Sequence, residues 1–329
     1  MNGVMIRLAF IARRLAKALV MIVAIIILNF FLVRMTPGDP AMVLAGEAGV
    51  ADPKFMADLR HEFGLDKPEW KQLVLYLEHV ARGDLGYSYL QRRPVTELIM
   101  QRLPQTLLLT GTAMALALTV GIGLGAVAGM KAGRLADTAI TILALLVFAT
   151  PSFWLGLMAI LLFAVVLNWL PLFGMETINS GLQGLPLALD IGRHLILPAA
   201  TLGLFFVAIY ARLTRAAMLE VAELDFVRTA RAKGLSEKRV VVRHILRNAL
   251  LPVVSFAGLQ AGYLVGGSVL IETVFAWPGI GRLAYDATVG RDYTVLLGVL
   301  IVTSIMVIAF NILTDIVYVL VDPRIAATG

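Results

Sequence analysis

Six long apolar segments constrain the fold of this chain more than any other feature of its sequence. A helix that crosses a lipid bilayer needs about 20 mostly apolar residues, because its backbone polar groups find no water in the hydrocarbon core. Such segments lie near residues 11–34, 104–129, 137–168, 195–218, 252–275 and 294–321. The third and the sixth are long enough to be tilted or to extend beyond the bilayer. Charged residues make up only 15% of the 329 residues, against roughly 25% in soluble domains. The sequence therefore predicts an all-α integral membrane protein with six transmembrane helices.

The connections between these segments predict their orientation, because lysine and arginine are retained on the cytoplasmic side. Four basic residues precede the apolar run from Ala18 to Val33 and nine lie in residues 212–251, whereas residues 169–193 contain one and residues 276–293 contain two. We therefore expect both termini and the 212–251 loop in the cytoplasm. We attribute the net charge of +6 to this asymmetry rather than to a nucleic-acid partner.

These boundaries divide the chain into four parts. They are an N-terminal region with the first transmembrane helix (1–34), an external segment (35–103), a five-helix transmembrane core (104–321) that contains a cytoplasmic loop (219–251), and a cytoplasmic tail (322–329). No small-x-small cleavage pattern follows the first helix, so we expect it to be retained rather than removed as a signal peptide. In the external segment, Leu73, Leu77 and Val80 share one face, which predicts a small helix on the outer membrane surface.

The sequence lacks the patterns of a catalytic, metal or cofactor site. It has no cysteine, and its histidines show no pair at the three- or four-residue spacing of helical metal ligands: His61, His79, His194 and His244. The glycine-rich run at 121–131 lacks the Ser or Thr of a phosphate-binding loop, so we interpret its small residues as close helix-packing positions. Ser268 has no histidine nearby in sequence to activate it. We therefore predict a non-enzymatic chain that binds no metal or cofactor itself.

The 212–251 loop is helix-patterned and far longer than the few residues that join most neighbouring helices. A first helix has two patterned faces: Val221, Leu224 and Val227 at three-residue spacing, and Phe226, Ala230 and Gly234 at four-residue spacing. The second face is small, which would let a partner surface approach closely. Gly234 then ends the helix, as glycine does just beyond a helix C-terminus.

A second helix is predicted after this glycine. Ser236 is a candidate N-cap, and Glu237 favours the positive end of the helix. Arg239, Arg243 and Arg247 then form a basic stripe at four-residue spacing. The pattern indicates a docking element for a protein outside the membrane. An ordinary solvated loop is the alternative, and attachment to the membrane at both ends disfavours a DNA-binding helix-turn-helix.

Residues 225–235 (DFVRTARAKGL) resemble a coupling motif, and further matches follow along nearly the whole chain. These are residues 34–40 (RMTPGDP), 83–88 (GDLGYS), 93–95 (RPV), 150–156 (TPSFWLG), 194–198 (HLILP), 272–281 (ETVFAWPGIG) and 320–324 (LVDPR). Together they resemble the membrane-spanning permease subunits of ATP-binding-cassette importers, in the dipeptide, oligopeptide and nickel branch. Arg228 stands at the position of the general motif's acidic residue, and Thr229 stands at the position of its first alanine. Ala230 matches the motif's second alanine. Such departures from the general motif are usual in the peptide branch.

This resemblance implies a type I importer permease fold, with a small external helical segment after the first span, in a bacterial inner membrane. The subunit would form half of a translocation pathway for a peptide or similar small solute. Its partners would be a second homologous permease, two cytoplasmic ATPase subunits that carry ATP and Mg²⁺, an external substrate-binding protein and the lipid bilayer. The 222–234 helix would couple the pathway to the ATPases.

The resemblance also implies two sets of site residues. For ATPase coupling they are Glu223, Asp225, Phe226, Arg228, Thr229, Ala230, Lys233 and Gly234; the external-side motif comprises Glu272, Trp277, Pro278, Gly279 and Gly281. A self-sufficient channel or secondary transporter is the alternative function. It would need ion-coupling residues near the membrane midplane, where few charges occur, and would not need the long loop.

One acidic residue in the last apolar segment suggests an ion pair. Charged side chains within membrane spans are costly and are usually paired. We hypothesise that Asp315 pairs with an arginine at the cytoplasmic end of a neighbouring helix, either Arg212 or Arg215.

Overall fold

Helices account for most of the backbone in the computed structural model, which describes residues 2–35 and 67–321. The elements in chain order are α1 (Asn2–Met35), α2 (Glu69–Ala81), β1 (Tyr87–Ser88), β2 (Arg93–Pro94), α3 (Val95–Met130), α4 (Leu135–Ala149), α5 (Ser152–Ala159) with a π-helical continuation (Ile160–Val166), α6 (Leu185–Ala222), α7 (Asp225–Ala232), α8 (Glu237–Val240) with a π-helical continuation (Val241–Leu246), α9 (Arg247–Val274), α10 (Ile280–Gly290) and α11 (Tyr293–Val321). Part of the predicted external segment, at residues 36–66, and the predicted tail at 322–329 lie outside the described residues.

Five helical segments are long and apolar enough to cross a membrane. They are Arg13–Leu32, Val95–Met130, Leu185–Ala222, Glu237–Gly258 and Tyr293–Thr314. A sixth span is present if α4 and the helix that begins with α5 count together as one broken span. The prediction of an all-α membrane protein with six apolar segments is confirmed at this level.

The third predicted span, at 137–168, differs from the expected single tilted helix. The structure divides it into Leu135–Ala149 and Ser152–Val166, which are bent by 103°. Thr150 between them is extended, with φ −89° and ψ 132°. Proline disfavours helical geometry in the residue before it and donates no backbone hydrogen bond. Pro151 therefore accounts for the break.

Contacts among the described residues form two compact units. The first comprises Met1–Pro104 with Gly279–Gly329, and the second comprises Gln105–Pro278. In the first unit the beginning of α3 packs with α10 and α11. The centre of this cluster consists of fully buried aliphatic side chains: Val95, Ile99, Ile280 and Val295.

A buried polar contact in the first unit joins the β1–β2 hairpin to α11. The Ser88 hydroxyl donates to Asp292 Oδ2 at 2.5 Å, and Asp292 Oδ1 accepts the Val295 N–H at 3.1 Å. Asp292 therefore caps the N-terminus of α11. Since Ser88 ends the 83–88 motif, that motif positions the hairpin in this unit.

A helix is present where the sequence predicts one, as α2, which covers Glu69–Ala81. Its end is tied to the following turn by His79, whose Nδ1 lies 2.9 Å from Asp84 Oδ2. This hydrogen bond lowers the pKa of the Asp84 carboxyl below its ordinary value.

Helix α6 is the buried centre of the second unit. Its side chains Phe206 and Tyr210 lie in a cluster with Leu109 of α3 and Ile271 of α9, and with Trp277. Such a helix, apolar on most sides, is typical of a span enclosed by other spans.

Helices α3 and α6 approach each other closely along the glycine-rich run. A Cβ built on Gly121 would lie 2.8 Å from the Tyr210 Cβ, and one built on Gly125 would lie 2.5 Å from the Ala211 carbonyl oxygen. Neither position can hold a side chain without moving a neighbouring backbone. Small residues at four-residue spacing allow such contacts between membrane helices. The interpretation of this run as a packing surface is confirmed.

Candidate docking site

Helix α7 is a short helix that the backbone separates from α6. The sequence predicted one helix over 222–234, whereas α6 ends at Ala222 and α7 covers Asp225–Ala232. Leu224 between them is extended, with φ −70° and ψ 146°, and its carbonyl accepts the N–H groups of Val227 and Arg228. The chain therefore turns at Leu224 and presents α7 as a separate element.

One face of α7 packs against its own chain. Val227 and Ala230 are buried in a cluster with Met218 of α6 and with Val241 and Ile245 of the following helix. The sequence had grouped Ala230 with Phe226 on the partner-facing side. Around a helix Ala230 lies between Phe226 and Val227, and its small side chain fits beneath the neighbouring helix.

The other face of α7 is open. Phe226 is 42% exposed. Thr229 is exposed, and its hydroxyl donates to the Asp225 carbonyl oxygen at 2.9 Å. Arg228 Nη1 lies 3.5 Å from Asp225 Oδ1. Glu223 at the preceding turn is also exposed. The predicted coupling residues other than Ala230 therefore lie on or beside one accessible face.

The turn after α7 is fixed by backbone geometry and by one ion pair. Lys233 ends the helix, and Gly234 follows with φ +77°, a conformation that favours glycine. Across the turn, Arg231 donates from Nε to Glu237 Oε2 at 3.2 Å and from Nη2 to Oε1 at 2.8 Å. These hydrogen bonds raise the pKa of Arg231 above its ordinary value. Ser236 occupies the predicted N-cap position, but its side chain makes no capping hydrogen bond.

The base of this region contains an ion pair that sequence reasoning missed. Arg215 of α6 donates from Nε to Asp137 Oδ1 at 2.5 Å and from Nη2 to Oδ2 at 2.8 Å. The Asp137 side chain is 5% exposed, and its Oδ2 also accepts the Gly133 N–H at 2.9 Å. The pair fastens the start of α4 to α6 two helical turns before α6 ends.

This geometry bears on the predicted partner of Asp315. Arg215 pairs with Asp137, and the Arg212 guanidinium lies 4.9 Å from the centre of the Phe148 ring. The Asp315 side chain lies outside the described part of the chain.

Two residues of the external-side motif are enclosed within the second unit. Glu272 and Trp277 are fully buried. Glu272 Oε1 accepts the hydroxyls of Thr106 at 2.8 Å and Ser268 at 3.0 Å, and the Trp277 indole N–H donates to the Gln105 carbonyl at 2.9 Å. Both side chains therefore join α9 and the segment after it to the beginning of α3 in this unit.

The remaining motif residues have smaller side chains. Pro278 is half-buried at the end of the second unit. In the first unit, Gly279 is the N-cap residue of α10 and Gly281 lies in its first turn, both buried. These glycines therefore contribute through tight packing around the start of α10.

Two family profiles match this chain. Residues 121–327 match the family described as binding-protein-dependent transport system inner membrane component. Residues 5–110 match the N-terminal region of binding-protein-dependent transport system membrane components. Together these matches include the docking helix, the ion pair beneath it and the motif around Trp277.

Similar proteins of known description cover nearly the whole chain. The dipeptide transport system permease protein DppB of Escherichia coli (strain K12) is 42% identical, over 97% of this chain and 98% of that protein. The oligopeptide transport system permease protein AppB of Bacillus subtilis (strain 168) is 39% identical, over 96% of this chain and 99% of its own length.

A solved structure supports the fold. A chain from the inward-facing MetNI methionine ABC transporter superposes with a TM-score of 0.55 at 20% sequence identity, over 68% of this chain and 96% of that one. At this identity the likeness concerns the fold alone.

Proposed function

This chain belongs to the family of binding-protein-dependent transport system inner membrane components, and from that premise we propose that it is the permease subunit of an ATP-driven peptide importer. It forms half of the translocation pathway, and a second homologous permease forms the other half. The names of the DppB and AppB relatives support peptides as the transported solute. ATP and Mg²⁺ bind to separate ATPase subunits, so the chain itself is not an enzyme.

The observation that carries this proposal is the two-sided packing of α7. Its inner face is closed by Val227 and Ala230, whereas Phe226, beside that face, is 42% exposed. A short helix with an exposed aromatic side chain suits a groove on another protein. We assign that groove to a cytoplasmic ATPase subunit. From the distribution of basic residues we propose that both termini lie in the cytoplasm as well. The external binding protein then delivers the peptide at the opposite side of the membrane.

The local geometry suggests how ATPase movement reaches the pathway. The buried face of α7 packs on Met218 of α6 and on Ile245, which leads into α9. A displacement of α7 therefore moves the ends of two long apolar helices together. ATP binding would favour one of two pathway conformations, because a ligand shifts an equilibrium toward the state to which it binds more tightly.

Phe226→Ala is expected to weaken association with the ATPase subunits on the order of tenfold or more, because aromatic anchors dominate many interfaces. Without the ATPase subunits, the Phe226→Ala chain should have nearly the same thermal stability as the unaltered chain, since Phe226 is already 42% exposed. Association is measured by biolayer interferometry with purified subunits. ATP-dependent uptake of a labelled dipeptide into proteoliposomes is measured in parallel.

Val242→Ala is the matched control, because Val242 is an exposed apolar residue (56%) on the neighbouring helix. This variant should bind the ATPase subunits as the unaltered chain does. Equal binding by the Phe226→Ala variant would contradict docking at α7. Dipeptide uptake by the chain without any ATPase subunit would contradict the proposed function itself.

Gly234→Arg is expected to leave membrane insertion intact but to uncouple ATP hydrolysis from transport. Space is available for the side chain, since nothing lies within 4 Å of a Cβ built on Gly234, but the φ of +77° strains any residue with a side chain. Gly234→Asn is the control, because asparagine tolerates this backbone region best after glycine. ATPase activity and uptake are measured on the same reconstituted complexes, and normal coupling in the arginine variant would refute the assigned role of this turn.

A further inference from the structure

The helix after Gly234 carries three arginines that have no acidic partner among the described residues. Arg239, Arg243 and Arg247 are exposed, and none forms an ion pair with a carboxylate in the part of the chain that the structure describes. Carboxylates of the same unit do pair with three nearby arginines: Arg215, Arg228 and Arg231. The unpaired stripe is therefore free to bind an anion.

Two of these arginines contribute to an open groove of about 430 Å³. The residues that line it are Phe226, Arg243, His244, Arg247, Asn248 and Leu251. Phe226 and Leu251 are 42% and 44% exposed. The groove thus combines a strongly cationic side with apolar side chains that remain in contact with the surroundings.

The position of the groove along its helix sets its depth in the membrane. Leu251 immediately precedes Pro252, where the apolar segment 252–275 begins. Arg247 lies one helical turn earlier, about 6 Å along the axis. The headgroup layer is roughly 5–7 Å thick on each side of the hydrocarbon core. Taking Pro252 as the start of the segment that crosses the hydrocarbon core, we place Arg247 at the level of the lipid headgroups and Leu251 at the boundary with the acyl chains.

We propose that this groove binds the headgroup of an anionic phospholipid. The guanidinium groups of Arg243 and Arg247 bind the phosphate, since arginine presents paired donors that match phosphate oxygens. Leu251 contacts the glycerol and the first part of an acyl chain. A zwitterionic lipid brings its own ammonium group and is a poorer match to this uncompensated positive charge.

An acidic protein surface also offers carboxylates, but the depth of the groove favours the lipid. Its apolar end, at Leu251, lies next to the apolar segment and away from the Gly234 turn. The groove shares Phe226 with the docking surface proposed above, but the lipid site depends on Arg243 and Arg247 and can be tested on the purified chain alone.

The test is native mass spectrometry of the full chain in detergent, with phosphatidylglycerol or with phosphatidylcholine of the same acyl chains. The unaltered chain should retain phosphatidylglycerol preferentially. Arg243→Gln with Arg247→Gln should lower that retention roughly tenfold, since each basic residue near a membrane surface contributes measurably to binding of anionic lipid. Lys238→Gln with Arg239→Gln removes the same charge further from the membrane and should change retention less than about twofold.

Three outcomes would overturn the lipid site. One is equal retention of the two lipids by the unaltered chain, and another is equal loss in the two double variants. The third is normal lipid retention by the Arg243/Arg247 variant together with loss of ATPase binding, which would assign the groove to the protein interface. If that variant does not fold, lipid retention by the unaltered chain is measured at increasing salt concentration instead. A preference for phosphatidylglycerol that does not change with ionic strength would contradict binding by arginine, because salt screens exposed charges.

Discussion

Gly125→Leu is expected to lower the free energy of unfolding of the chain by about 3 kcal/mol, the upper part of the usual range for an overpacked core. A Cβ at this position would lie 2.5 Å from the Ala211 carbonyl oxygen and 2.6 Å from the Thr214 Cβ. This steric clash can be relieved only if α3 and α6 separate, and their separation removes packing along several helical turns. Membrane helices associate through this close packing, because lipid offers little hydrophobic drive between them. Unfolding by sodium dodecyl sulfate in mixed micelles measures the change.

Gly123→Leu provides a control of the same chemistry on the same helix. Gly123 is exposed, and nothing lies within 4 Å of a Cβ built on it. Leucine is also the better helix former, so this variant should be at least as stable as the unaltered chain. The packing argument fails if the two variants lose equal stability, because the cost would then arise from leucine itself rather than from the contact with α6.

The long helices and their small-residue contact could be predicted because both depend on local sequence. Apolar segments at 104–129 and 195–218 correspond to the cores of α3 and α6, which extend to Val95–Met130 and Leu185–Ala222. The spacing of Gly121 and Gly125 indicated a packing face without naming its partner. The position of the partner, α6, depends on tertiary contacts that periodicity does not contain.

The features that sequence reasoning missed each depend on a neighbour or on one backbone angle. Pro151 was visible in the sequence, but the long apolar stretches beyond Thr150 and Ser152 concealed the break of the third span. The inward position of Ala230 depends on the helix packed above it, since an eight-residue helix has too few positions to define its buried face. Asp137 lies 78 residues from Arg215, so spacing alone could not pair them, and Asp315 was an equally reasonable partner.

The ion pair between Asp137 and Arg215 links the candidate docking site to the rest of the second unit. Arg215 lies on α6 between the glycine contact with α3 and the turn at Leu224. Asp137 also accepts the Gly133 N–H, so the pair fixes both the turn before α4 and the direction of α6. We therefore expect this pair to determine where α7 begins relative to the spans.

Arg215→Gln is expected to lower the melting temperature of the chain by several degrees and to reduce ATP-dependent dipeptide uptake more than ATPase activity. The substitution leaves the Asp137 carboxylate, 5% exposed, without its cation, and a charge left in a poorly solvated position is destabilising. Loosening of α6 would also let α7 move without moving the spans. Melting temperature in detergent and the ratio of uptake to ATP hydrolysis are measured on the same preparations.

Arg212→Gln is the matched control, since it removes the same charge one turn earlier on α6, where the guanidinium faces the Phe148 ring within the part of the chain that the structure describes. A contact of that kind at an exposed site contributes little, so both readouts should change less than for Arg215→Gln. A double-mutant cycle with Asp137→Asn completes the argument, because residues that act as a pair are non-additive. The Asp137→Asn, Arg215→Gln double variant should be no less stable than the less stable of the two single variants. If the two losses of stability instead add, Asp137 and Arg215 stabilise the chain independently.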